Sequence, residues 1–216
     1  AAYQAKTEAL TQQLQQQVNQ PGAGKLALSG KTSSNLFRHR GKEKNVAVNV
    51  RDSHHVIAIH QEELYADVEG MTTYEEFVRE TLRFQLLPTV VPELKSITVG
   101  GAVTGIGIES SSFRYGLVHE TVLEMDVLLG DGRVVTCTPD NEYKELFFGF
   151  PNSYGTFGYA LRVRVKLVRA KKYVKLERTT FTESKAFFAA LEEQCVSGRK
   201  TGSIDYIDGA VFGPNV

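Results

Sequence analysis

Short runs that alternate apolar and polar residues fill the middle of the chain, and stretches near its two ends repeat at helical spacing instead. Residues 3–19, rich in Gln, Leu and Ala, place Ala5, Leu10, Leu14 and Val18 near one helical face, and Gln20-Pro21-Gly22 stops the run. Strands are predicted over 25–28, 45–49, 56–59 and 64–68, the last two as a hairpin turning at Gln61-Glu62. Thr72 or Thr73 caps a helix reaching about Arg83, with Glu75 and Glu76 in the first turn, where the helix dipole favours acids. Residues 121–129 and 134–138 flank Gly130-Asp131-Gly132, a hairpin turn signal, and Pro139-Asp140 opens a short helix over 142–148.

Residues 159–168 alternate strictly. Leu161, Val163, Val165 and Leu167 face one way and Arg162, Arg164 and Lys166 the other, which predicts a strand with a solvated basic face. Past Ala170-Lys171-Lys172 the pattern changes to strand (173–177), helix (183–195) and strand (203–211). That second unit is too short to close a core of its own, so the natural protein is expected to continue beyond Val216. The chain does not begin with Met, which suggests a processed or excised product.

Composition narrows the class. With 216 residues, 42% hydrophobic content and 25 basic residues against 25 acidic, the chain reads as an ordinary globular protein with no bias toward nucleic acid. No apolar run approaches a membrane span, and no signal peptide is evident. Cys137 falls in a predicted strand and Cys195 in a predicted helix; two reduced, buried thiols are expected rather than a disulfide. The five scattered histidines and two cysteines show no zinc spacing, so no metal is expected.

Candidate chemistry lies in residues 97–116, ITVGGAVTGIGIESSSFRYG, where five of twenty residues are Gly. Glycine at that density brings backbone close to something, and hydroxyls from Thr98 and Ser110 to Ser112 stand beside it. A second polar, glycine-bearing loop runs through Ser29, Gly30, Lys31, Thr32, Ser33 and Ser34. Both are predicted as loops that follow short strands and share one elongated anionic ligand. Two familiar motifs nearly match and fail. Gly24 and Gly30-Lys31-Thr32 have five residues between the glycines, where a P-loop has four; Gly105 to Ser110 resembles a dinucleotide fingerprint without its strand–helix–strand unit.

At these residues the chain resembles the flavin-binding domain of the vanillyl-alcohol oxidase / p-cresol methylhydroxylase (PCMH) family, and within it the delta-24 sterol reductase group. The stretches that carry the resemblance are LPTVVPELKSITVGGAVTGIGIESSSFRYGLV, LLGDGRVVTCTP and SYGTFGYALRVRVKLVRAKKYVKL. It implies an α+β fold: a PCMH-type FAD-binding domain over 25–170, made of two α+β subdomains (about 25–92 and 93–170). An N-terminal helix and lead (1–24) precede it, and the start of a truncated α+β cap domain (171–216) follows. On this resemblance Ser29 to Ser34 form the pyrophosphate loop. Thr98, Gly100, Gly101, Gly105, Gly107 and Ile108 line the diphosphate and the isoalloxazine edge, Ser111, Gly116 and Val118 continue that wall, and Gly158 with Ala160 meets the adenine end.

Many relatives attach FAD covalently through a His in the pyrophosphate loop. Here that loop reads SGKTSSN, which implies non-covalent FAD. The implied activity is an FAD-dependent oxidoreductase moving hydride between a small-molecule substrate and flavin N5, with NADPH-driven reduction of a sterol-like C=C bond as its specific form. Oxidation of an alcohol or aldonolactone is the alternative within the class. A non-catalytic protein that keeps the flavin fold for binding, and a nicotinamide enzyme, are the alternatives outside it. The expected location is the cytoplasm, with membrane association through a segment outside this sequence as the alternative. No catalytic residue is assigned among Glu109, Arg114 and His119.

Overall fold

The computed structural model describes residues 2–18, 25–29 and 45–213. Its centre is an antiparallel sheet in the order β3 (Val56–His60), β4 (Tyr65–Glu69), β8 (Tyr159–Arg169), β6 (Val122–Leu128), β7 (Val134–Cys137), with β5 (Leu86–Pro88) also pairing with β8. A separate parallel pair joins β1 (Lys25–Ser29) to β2 (Asn45–Asn49). The arrangement of helices around a mostly antiparallel sheet is α+β, as expected.

β8 is central because its odd-numbered positions from Leu161 to Leu167 are apolar. Val163, Val165 and Leu167 pack with Ala66, Val68, Met125 and Val127 beneath α2 (Tyr74–Leu82), α3 (Val99–Gly105) and α5 (Lys144–Gly149). Of the two expected caps it is Thr73 that caps α2, and Glu76 completes a reciprocal capping box. α1 (Ala2–Val18) covers the other face of the sheet, burying Leu10 and Leu14 against Val48, Val50, Leu128 and Leu161. Ala5 is exposed instead, and Tyr3 and Lys6 reach the sheet.

Three expectations are corrected. The basic stripe of β8 is not a solvated face, except at the exposed Lys166. Arg162 lies under α1 and bonds Asp67, Glu124 and Asp126, and Arg164 bonds Asp67 and packs over the Tyr65 ring. Tyr3 Oη closes the cluster by donating to Asp126 at 2.8 Å. Opposite charges on the neighbouring strands β4 and β6 made this burial feasible, and one strand read alone hides them.

Second, residues 100–105 form helix rather than loop. Thr98 Oγ1 accepts the Gly101 amide at 3.2 Å, and burial of Val99, Ala102 and Val103 outweighs the poor helix propensity of glycine. Third, residues 173–177 and 203–211 form no strand; neither finds a ladder partner among the described residues, and an unpaired strand has little stability. The intervening helix, α6 (Ser184–Thr201), does form.

Candidate functional site

α3 is stitched to the turn between β4 and α2. Val99 N donates to Thr72 O at 2.9 Å, Gly100 N to Gly70 O at 2.8 Å, and Gly70 N to Leu161 O at 2.9 Å. Three backbones therefore stack at Ala160, Gly70 and Gly100. A Cβ on Gly70 would lie 2.0 Å from Ala160 O, and one on Gly100 would lie 2.9 Å from Gly70 O. Gly70 was missed at the sequence level; its signal was a lone glycine closing a strand, which marks close backbone approach.

The expected cofactor residues divide by what surrounds them. Gly107 packs on Val118, and Val118 N donates to Gly107 O at 3.0 Å. Gly116 backs onto Glu120 and Gly158 onto the Leu128 carbonyl. Ser111 Oγ donates to Thr89 O at 2.9 Å, and the Ser29 carbonyl accepts Val50 N at 3.0 Å. Gly30, Lys31, Thr32, Ser33 and Ser34 lie outside the described residues.

Gly101 and Gly105 differ. They stand one turn apart on the outer face of α3; a Cβ on Gly105 would meet nothing within 4 Å, and one on Gly101 only the Thr98 cap oxygen. Ile108, just beyond, is 72% exposed. This open strip is a cradle that side chains would fill, and it suits a flat or elongated group laid on backbone. At its end a strained turn carries Asn152 (φ 61°) and Tyr154 (φ 50°) in the left-handed region, and Tyr154 N donates to Thr104 O at 3.3 Å.

The three titratable residues of the stretch have separate settings. Burial raises the Glu109 carboxyl above its ordinary value, and the Glu93 and Asp208 carboxylates add to that, against one hydrogen bond from the Glu93 amide. Arg114 Nη1 donates to Asp205 at 2.9 Å. His119 lines a cavity of about 370 Å³ with Val103, Met125, Phe147, Phe148 and Lys166; its Nδ1 is buried with no partner among the described residues. No cluster of metal-ligating side chains occurs among the described residues, and none of their helices is long and apolar enough to cross a membrane.

The fold is an α+β domain in which α3 leaves a glycine-bearing strip at the surface. The chain belongs to the FAD binding domain family, whose sequence profile matches residues 1–138, and the cofactor of that family is FAD. This is the PCMH-type family that the motifs resembled. It is 38% identical over 135 residues to a Delta(24)-sterol reductase of Pisum sativum, covering 62% of this chain and 24% of the relative. It is 33% identical over 180 residues to cytokinin dehydrogenase 3 of Arabidopsis thaliana, covering 81% and 34%. The fold is shared with 6-hydroxy-D-nicotine oxidase from Arthrobacter nicotinovorans at a TM-score of 0.63 and 19% identity, over 76% of this chain and 35% of that one. The chain thus spans about a quarter to a third of the length of these curated relatives.

Proposed function

We propose that this chain is the cofactor-holding part of an FAD-dependent oxidoreductase that reduces a C=C bond of a sterol-like small molecule, with NADPH as the reductant. The observation that carries the reading is the open Gly101–Gly105 strip within a domain of the FAD-binding family. Thr98, by capping α3, fixes the direction in which that strip faces. Ala160 and Gly100 hold it against the sheet through Gly70, and Ile108 offers an exposed apolar surface for a ring system. Bound FAD supplies hydride or electron transfer, and the protein contributes position and exclusion of water.

The SGKTSSN loop offers no histidine, so FAD is held without a covalent bond, and Ser29 to Ser34 grip its pyrophosphate. Residues 25–170 are the cofactor domain and 171–216 begin a cap that selects substrate. In this reading the protein works in the cytoplasm. The similarity to a cytokinin dehydrogenase over 180 residues favours a second reading, in which the same flavin domain oxidises its substrate.

The test is an absorption spectrum after incubation with FAD and desalting. Bands near about 370 and 450 nm, the usual signature of bound flavin, are expected at about one flavin per chain. Acid precipitation should then release all colour to the supernatant; a yellow pellet would show a covalent link. A folded, colourless protein contradicts the reading.

A further inference from the structure

α6 and the chain after it are fastened to one short segment at the end of the glycine-bearing stretch. Gly198 is the buried residue of α6, and a Cβ there would stand 2.9 Å from the Phe113 ring and 3.0 Å from Ile204 Cβ. Phe113 and Arg114 belong to α4 (Ser112–Tyr115). Hydrogen bonds surround that contact. Arg199 Nε donates to Phe113 O at 2.8 Å, and Ile207 N donates to Ser110 O at 2.8 Å. Arg114 Nη1 donates to both Ile204 O at 3.2 Å and Asp205 Oδ1 at 2.9 Å. Lys171 Nζ holds the other Asp205 oxygen at 2.6 Å, so two cations grip that carboxylate.

A strained turn separates this joint from α3. Ile106 sits in the left-handed region at φ 55°, a costly conformation for a β-branched residue that persists only where the surroundings over-determine it. From the α3 side, the amides of Ile106 and Gly107 both donate to Ala102 O. From the other side, Glu109 N donates to Ser112 Oγ at 3.0 Å, Ser112 N to Glu109 O at 2.8 Å, and Ser111 Oγ to Thr89 O at 2.9 Å. The docked C-terminal unit, residues 171–213, bears on that second anchor through Ser110, Phe113 and Arg114. Ile108, exposed at the end of the open strip, lies between the two anchors.

We propose that Arg114 is a positioning residue for the cofactor: its clasp on Ile204 and Asp205 seats the C-terminal unit on Ser110–Arg114, and the seated unit holds the Ile106–Ile108 turn in the form that receives FAD. This rests on the flavin reading above. Arg114 acts through the backbone of residues 110–113 and not on the cofactor itself. Its side chain is 22% exposed and serves a carbonyl and a carboxylate together, so its loss leaves two acceptors unpaired at the joint. A released unit frees the strained turn to relax, and Ile108 leaves its place beside the strip. By reciprocity, FAD tightens the seating by the factor with which the seating tightens FAD.

Hydrogen exchange followed by NMR on the full chain reads the seating directly, because Ile207 N is bonded across the joint. Without FAD, Arg114→Met should speed exchange at Ile207 at least about tenfold and leave the Gly70 and Gly100 amides at wild-type rates, the pattern of a local opening. FAD should slow Ile207 exchange in wild type about five- to tenfold, and its Kd should weaken by up to that factor in Arg114→Met. Arg114→Lys, which keeps a donor for Asp205, should recover most of both effects. A role confined to holding the fold would move the Gly70 and Gly100 amides as well and give no protection by FAD. Wild-type exchange at Ile207 in ligand-free Arg114→Met overturns the clasp whether or not flavin binds. Release of Ile207 with wild-type FAD affinity, or FAD binding that leaves Ile207 unprotected in wild type, overturns the coupling and leaves the flavin reading standing. Failure of wild type to bind FAD at all sinks the flavin reading and this proposal with it.

Discussion

The two faces of α3 carry the same residue type for opposite reasons. On the inner face Gly100 rests on Gly70, and Gly70 on Ala160, so closely that no side chain fits. On the outer face Gly105 looks onto open space, and Gly101 meets only the Thr98 cap oxygen, 2.8 Å from where its Cβ would stand. Inner glycines let backbone meet backbone and hold the fold together, whereas outer glycines keep a surface bare at a cost in helix propensity. A related contrast recurs along one face of β8, where Arg162 is buried against three carboxylates and Lys166 is exposed.

Gly70→Val should break the inner side most severely. Its Cβ would fall 2.0 Å from a backbone oxygen that cannot step aside, so a loss of about 4 kcal/mol or more is expected in urea unfolding. Arg162→Met comes next. It would leave Asp126, 7% exposed, without its cation and Asp67 with Arg164 alone, at about 3 kcal/mol or more by the same measurement. Lys166→Met should stay within about 0.5 kcal/mol, as exposed positions do; comparable losses at both sites would erase the distinction.

Acid sharpens the comparison. Burial alone would raise the Asp67 and Asp126 carboxyls, but hydrogen bonds and charge outweigh it, from Arg164 and Arg162 at Asp67 and from Arg162, Tyr3 and Thr136 at Asp126, and hold both below the usual carboxylate range. Their stabilisation is thus complete above the ordinary aspartate pKa and is lost as pH falls through the lowered values. Glu109 has the opposite sign: its raised carboxyl makes the fold less stable above the raised value, and the loss is relieved on protonation. Urea midpoints followed against pH should fall steeply in acid for wild type. In Glu109→Gln they should be raised only at pH above the ordinary glutamate pKa, where the wild-type carboxyl carries its penalty.

Much of this was legible from residues. Hairpins announced themselves through alternation and through Gly130-Asp131-Gly132, and Thr73 with Glu76 marked the start of α2. The glycine stretch announced close backbone approach, as at Gly100, but not its helical form, because the helicity of α3 comes from burying Val99, Ala102 and Val103 rather than from propensity. Arg162 read as solvated because its partners, Asp67 and Asp126, sit 95 and 36 residues away. The same distance hid Glu93 and Asp208 from Glu109, and no periodicity could have joined them.

The central claim is that the outer face of α3 is bare because FAD lies on it. Gly105→Leu tests it most directly, since the new side chain enters open space and replaces a poor helix former. FAD titration by flavin fluorescence should show affinity weakened at least about tenfold, while thermal unfolding of the ligand-free variant is unchanged or raised by up to about 1 kcal/mol of added helix stability. Wild-type affinity in a folded Gly105→Leu protein would contradict the account.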